Sequence, residues 1–518
     1  MLRRVFCLVI IVGVVLPAAC AAQKSAEQVR PPAVAGAFYP GDAKELAATV
    51  DAFVASAKPP EIGGQLVALI SPHAGYPYSG AVAGHGYALL KGRKYTRVVV
   101  LAPSHHDAFE FASVYDGDYY STPLGRIPVD KDFARRLAAF GPAMKLSSRA
   151  HTDSKEHSLE VQLPFLQRVL GDLKLVPVIM GTQDYDSSRS LGVALARLIQ
   201  NNDALIVASS DLSHFHPYDE AVKLDRKTLN ALTGWDYFSA SRNFERRVWE
   251  ACGGGPVVAA MIAAERLGAN DVRLLKYANS GDVTADRLRV VGYGSLAVVR
   301  VPGLKPVGEP SFSLTSRERE ELLKLARKSV ETAVRDKKLY EPPPVTLDAL
   351  AQERGAFVTL KEKGQLRGCI GYTSAFTPLY LTVRDVAAFA AVRDTRFAPV
   401  RASELPELEY EISVLSPLRR VTDIKQIQVG RHGLLMKNGQ SEGILLPQVP
   451  TELGWDRKTF LEETCEKAGM QRNCWQDPDT DMFMFTALVF EEHKLAPSTF
   501  DDQRPPTPDK PGPHLPPR

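Results

Sequence analysis

The 518-residue chain is poor in cysteine, close to charge balance and without a long apolar run, and each shortage narrows what it does. Six cysteines spread over this length do not make a disulfide framework, which belongs to short secreted chains. Cys465 and Cys474 are close enough in sequence to pair in an oxidising compartment, but two ordinary buried thiols are the favoured reading. A formal charge of +3, with no concentrated run of lysine and arginine, argues against nucleic acid as a partner. The H-E-x-x-H string of zinc proteases and the G-x-S-x-G elbow of serine hydrolases are both absent. What is there is the composition of a soluble globular protein, 45% hydrophobic and 24% charged, on a chain too long for one ordinary core.

The amino terminus differs from the rest. Arg3-Arg4 precede an apolar stretch from Val5 to Leu16, followed by Pro17-Ala18-Ala19-Cys20-Ala21-Ala22. Twelve helical residues cover about 18 Å, short of a bilayer core, so residues 1–22 read as an export signal rather than a membrane span. Cys20 stands where a lipoprotein signal places its lipidated cysteine, while Ala19-Cys20-Ala21 equally supplies the small-x-small pattern of ordinary cleavage. On either reading the mature protein is exported, to the bacterial periplasm or as a membrane-anchored lipoprotein, and meets a membrane only through that lipid.

Three apolar runs stop at chemically useful residues. Leu66 to Ile70 ends at Ser71-Pro72-His73, Arg97 to Leu101 at Ala102-Pro103-Ser104-His105, and Ala204 to Ala208 at Ser209-Ser210-Asp211-Leu212-Ser213-His214. Runs apolar throughout are those of parallel strands covered by helices on both faces, and their carboxyl ends converge on one crevice. Cys252 follows on a glycine-rich turn before a helix expected over Pro256 to Leu267. Two neutral imidazoles and a thiolate form a donor set that suits iron, copper or zinc and leaves positions open. His85 and His106 are alternative ligands or supporting donors, although adjacent side chains diverge on an extended segment, so His105 and His106 do not share an ion. His157 and Glu160, one turn apart on a helix expected over Glu156 to Val169, read either as a pair orienting a metal-bound imidazole or as the start of an amphipathic helix.

The segments Ala35-Gly36-Ala37-Phe38-Tyr39-Pro40, Ser71 to Tyr76, Pro103 to His106, Glu156 to Phe165, Ser209-Ser210-Asp211 with His214, and Cys252-Gly253 resemble the Memo family, in that family's order, over residues 29–302. The resemblance implies an α/β fold with a central sheet flanked by helices, similar to the class III extradiol dioxygenases, with cysteine replacing their carboxylate ligand. It implies His73, His105 and Cys252 as metal ligands, with Asp211 and His214 as catalytic candidates beside the open face. The metal implied is iron first, with copper or zinc as alternatives. Memo proteins are nonetheless better described as metal-binding relatives of dioxygenases than as established ring-cleaving enzymes.

Residues 303–315 read as a linker, because three prolines between Val301 and Pro310 interrupt regular structure. The second unit, residues 316–492, opens with a helix from Arg317 to Arg335 capped by Ser316. It continues with a β-hairpin of Gly355 to Leu360 and Leu366 to Gly371. Arg367-Gly368-Cys369-Ile370-Gly371, then Ala391 to Pro399, Tyr410 to Ser416, Leu445 to Val449 and Lys467-Ala468-Gly469, resemble an α+β Ammecr-type domain, protein A of the AmmeMemoRadiSam system. Memo-like protein B and a radical SAM protein are its companions there, which implies a radical SAM partner and a small-molecule or peptide substrate. Cys369 is a candidate for covalent or redox chemistry if the Arg367 guanidinium lowers its thiol pKa, and otherwise a buried strand cysteine between packing glycines. Arg393, Asp394 and Arg396 read as an ion-pair cluster. Residues 501–518 carry seven prolines and are expected to be disordered. The linker predicts few contacts between the halves, each of which is expected to fold alone.

Overall fold

The computed structural model describes residues 27–199, 203–284, 286–304, 312–374 and 376–492. The export signal with Cys20, residues 305–311 of the linker and the proline-rich tail lie outside them. Among the described residues no helix is long and apolar enough to cross a membrane.

Four parallel strands form the middle of a nine-stranded sheet, in the order Gln65–Ser71, Ala204–Ser209, Arg97–Pro103, Lys174–Met180. Their apolar runs are continuous because both faces are covered. Val99 and Leu101 pack into a cluster with the helices Tyr185–Leu198 and Gly254–Arg266, whereas Val98 and Val100 pack on the other side with Tyr76 and Tyr87 of the helix Tyr76–Ala88. Such double coverage gives no polar alternation to read. The antiparallel strand Val290–Arg300 extends this sheet beside Gln65–Ser71 and pairs in turn with Asp271–Asn279 and with the short strand His214–His216.

The second half is a seven-stranded antiparallel sheet. Its edge hairpin, Ala356–Glu362 and Gln365–Tyr372, turns through Lys363 and Gly364, both at positive φ, as a two-residue hairpin loop requires. The helices Ser316–Arg335 and Leu379–Val392 cover one face of the sheet. Thr315, not Ser316, caps the first of these: its side chain accepts from Glu318 N while the Glu318 carboxylate accepts from Thr315 N. The cap lies one residue early because that reciprocal bonding needs glutamate three positions on. The architecture is thus an α/β unit followed by an α+β unit.

Three expectations are corrected. No single helix spans residues 156–169; a short 3₁₀ turn, Glu160–Gln162, leads into an α-helix over Leu163–Leu170 that carries Pro164 in its first turn. Cys465 and Cys474 form a disulfide, Cα atoms 5.8 Å apart, that ties the end of the helix Arg457–Lys467 to the turn Cys474–Gln476. The two halves also share one core. Leu415, Leu418, Leu435, Phe483 and Phe485 join the cluster of Tyr185, Phe238 and the helix Gly254–Arg266, with the Phe238 and Phe483 rings 4.9 Å apart. At the edge of that contact buried Asp481 accepts from Tyr185 Oη (2.7 Å), Arg189 Nε (2.6 Å) and Arg266 Nη2 (2.9 Å).

Candidate metal centre

The parallel strands deliver Ser71, Pro103 and Ser209 to one edge, and the residues that follow build the site. His73 is 1% exposed. Its backbone N–H donates to Asp211 Oδ1 at 2.8 Å, and its Nδ1 lies 2.9 Å from Ser209 Oγ. The Ser209 hydroxyl gives its one proton to Ser158 O (2.6 Å) and accepts from Gln162 Nε2 (2.7 Å). The Nδ1 of His73 must then be the donor, which leaves a lone pair on Nε2.

The same logic fixes two more rings. His105 Nδ1 faces a Glu156 carboxylate oxygen at 3.1 Å and His157 Nδ1 faces Lys155 O at 3.3 Å, both pure acceptors at neutral pH, so each ring carries its proton on Nδ1. The His73, His105 and His157 centroids lie 4.8–5.6 Å apart. Burial pushes the pKa of His73 well below its usual value, with the neighbouring imidazoles acting in the same direction, and it lowers His157 too. Neutral imidazoles with free Nε2 lone pairs are the form in which histidine binds metal.

Glu156 supports this set. Its buried carboxylate accepts from the backbone N–H groups of His105, His157 and Ser158 as well as from the His105 ring. Burial alone would raise its pKa, but these bonds and the His105 ring hold it below the usual carboxylate range. Glu160 plays a different part from the expected pairing with His157: it binds Arg30, Tyr39 Oη and the amides of Ala33 and Val34. This pins the Ala35 to Pro40 segment so that Phe38 lies 4.4 Å from the His157 ring.

Cys252 meets His73 from the other side. Its Sγ is 3.1 Å from His73 Nε2 and accepts from Asp211 N at 3.2 Å. The turn after it is tight, because a Cβ on Gly253 would stand 2.1 Å from Ser209 O. Burial raises the Cys252 pKa, with the Asp211 carboxylate adding to the rise, so without a cation the thiol keeps its proton and donates it to His73 Nε2. Burial likewise raises the Asp211 pKa.

Donor atoms close enough for one ion fall into two overlapping sets among the described residues: His73, His105 and His157, and His73, Asp211 and Cys252. His73 belongs to both. The ligand trio suggested by sequence, His73, His105 and Cys252, therefore draws on both sets. His214 lies alongside, its Nδ1 donating to Leu212 O at 2.9 Å and its backbone N–H to Glu250. His106 and His85 belong to neither set, and His85 bonds back to Ala81 O.

In the second half Cys369 lines a cavity of about 660 Å³ with Thr359, Arg396 and Gln448. Thr359 donates to its sulfur at 3.3 Å, and its backbone N–H donates to Asp394. Arg367 does not activate it; that guanidinium is held by Glu404 at 2.8 Å. The Arg396 guanidinium is the one beside Cys369, and it binds Asp394 and the Cys369 carbonyl, drawing the Asp394 pKa down to about 2. Burial pushes the Cys369 thiol up. Arg393 leaves the expected ion cluster and lies over the Phe389 ring. The glycines act in packing: a Cβ on Gly368 would meet Ala390 O at 2.3 Å.

A helix-covered parallel sheet with a histidine and cysteine cluster at its carboxyl ends, joined to an antiparallel α+β unit, is the class that fold and site define. The family model described as Memo-like protein matches residues 30–297, and the one described as AMMECR1 matches residues 323–490. The chain belongs to the Memo-like family, in fusion with an AMMECR1 domain. It is 37% identical over 279 residues to a MEMO1 family protein of Methanobrevibacter smithii, covering 52% of this chain and 98% of that one. It is 47% identical over 183 residues to a protein of Thermococcus kodakarensis, covering 33% and 89%. An uncharacterised protein of Pyrococcus horikoshii, known from a crystal structure, is 41% identical, covering 35% of this chain and 94% of that one, with a TM-score of 0.34.

Proposed function

We propose that the first half binds one transition-metal ion, iron in preference to copper or zinc, through His73, His105 and Cys252, and is an oxygen-dependent or redox enzyme. The observation that carries the reading is the fixed tautomer of three clustered imidazoles, each holding its proton on Nδ1 and turning a lone pair toward its neighbours. Residues fit the ion: nitrogen and sulfur donors suit these metals, and every donor ring is oriented by a second partner. An iron(II) ion in such a site supplies redox chemistry toward dioxygen and an oxygen-rich substrate. His73 Nε2 and the Cys252 sulfur, with the thiol proton released to solvent, would hold the cation. Glu156 keeps His105 oriented and balances the charge. His214, with Nε2 free of the backbone bond at Nδ1, takes or gives a proton at the open face, and Asp211 holds the His73 backbone in place.

Anaerobic loading with Fe(II), Cu(I) and Zn(II), followed by metal analysis and oxygen uptake with catechols, tests this. One equivalent of iron and substrate-dependent oxygen uptake are expected. Stoichiometric metal without uptake would favour the alternative, a non-enzymatic metal- or peptide-binding module on the cell envelope. Export is part of the proposal and draws support from the Cys465 to Cys474 disulfide, since such bonds persist in oxidising compartments. The Ammecr-type resemblance makes a radical SAM protein the proposed partner, to be tested by co-purification from the native host.

A further inference from the structure

A second cavity, of about 560 Å³, lies where the two halves meet, far in chemistry from the histidine cluster. Its cations are Lys227 from the first half and Arg354 and Arg419 from the second. Lys227 is satisfied: it donates to Glu353 at 2.6 Å, and the other Glu353 oxygen accepts from Trp249 Nε1 at 3.0 Å. Asp236, the other acid in the wall, caps the helix Tyr237–Glu245 by accepting from Ser239 N.

The two arginines have no such partners. Among the described residues no carboxylate lies within 4.0 Å of either, and the buried Nε of each lacks a hydrogen-bond acceptor; Asp236 and Glu265 act on Arg419 only from beyond that distance, and no carboxylate acts on Arg354. Arg354 reaches only the neutral amide oxygen of Gln352, at 3.2 Å, and lies 3.8 Å over the Phe312 ring. Both guanidinium pKa values fall through burial, which says that water is being withdrawn from the charge. The two segments are locked side by side, since Leu415 N donates to Gly355 O at 2.9 Å.

Buried donors without acceptors are rare, and each of these guanidiniums holds one at Nε with no ion pair to satisfy it. A guanidinium is a flat fork of donors shaped for carboxylate or phosphate oxygens. The volume lies in the range of small-molecule sites, and such sites favour domain interfaces. From this cavity and these two guanidiniums, neither of them in an ion pair, we infer a binding site, between the halves, for a small organic anion whose carboxylate or phosphate group sits on Arg354 and Arg419.

The test uses the full chain and two probes, inorganic phosphate and succinate, at matched ionic strength, read by calorimetry and thermal unfolding. Saturable binding of one probe is expected, with Kd below about 1 mM, and the stronger probe identifies the anion class. Arg354→Gln and Arg419→Gln should each weaken it at least about tenfold. Arg419→Met should abolish the rise in melting temperature that the anion gives. No saturable binding of either probe, binding that survives both glutamine variants, or an anion-induced rise in melting temperature that persists in Arg419→Met would each overturn the inference. Metal content, measured in parallel, should not change in any variant, so the outcome is separate from that of the proposed metal site.

Discussion

Among the described residues the two free cysteines are Cys252, on the turn before the helix Gly254–Arg266, and Cys369, on the strand Gln365–Tyr372; burial raises the pKa of both thiols, yet they have opposite neighbours. Cys252 faces an imidazole lone pair at 3.1 Å, and that imidazole clusters in turn with Asp211, His105 and His157. Around Cys369 the charges are already matched, Arg396 to Asp394 and Arg367 to Glu404, and the remaining contact is a hydroxyl. A raised thiol pKa therefore does not separate a ligand from a packing residue. The charge balance around it does: on the proposed reading a cation would displace the Cys252 proton, whereas beside Cys369 the Arg396 and Asp394 charges already offset each other.

The most drastic way to break this contrast is to remove the donors. Cys252→Ser and His73→Ala should abolish stoichiometric metal binding with the far-ultraviolet circular dichroism retained, whereas retained stoichiometry in both would erase the distinction. Next in size is Asp481→Ala, which leaves Arg189 and Arg266 without their buried carboxylate and should cost about 3–5 kcal/mol in thermal or urea unfolding. Burial would raise the Asp481 pKa, but the two arginines hold it below its ordinary value. Its contribution is hence present above the unfolded value near pH 4 and lost as pH falls through the folded one. Wild type should show this acid-limb loss and the alanine variant should lack it. A smaller effect is expected for Glu156→Gln, a loss of about 10–100-fold in metal affinity through a misoriented His105. Smallest is Cys369→Ala, expected to shift stability by about 1 kcal/mol or less and to leave metal content unchanged. Metal loss in that variant would place both cysteines in one site.

The strand ends that carry His73, His105 and Asp211 were legible because three continuous apolar runs break abruptly into polar residues. Glu156 was not, since a single acidic residue in a polar loop has no periodicity to mark it, and its role exists only through four hydrogen bonds made in the folded chain. The helix read across residues 156–169 failed because apolar spacing runs on through a 3₁₀ turn. Pro164, at home in the first turn of a helix, marked the true start. The shared core left a trace as well: along Asp481–Glu491, Phe483 and Phe485 alternate with Met482 and Met484, so both faces of that strand are apolar and neither is destined for water.

That strand has a consequence during synthesis. Phe238 leaves the ribosome about 245 residues before Phe483, its partner across the two halves. At translation rates of roughly 5–20 residues per second, the apolar face of the first half waits about 12–50 s for its cover. The nascent protein thus passes through an interval in which a nearly complete first half offers a sticky surface to chaperones, proteases and other nascent chains, and truncation before Asp481 would make that interval permanent.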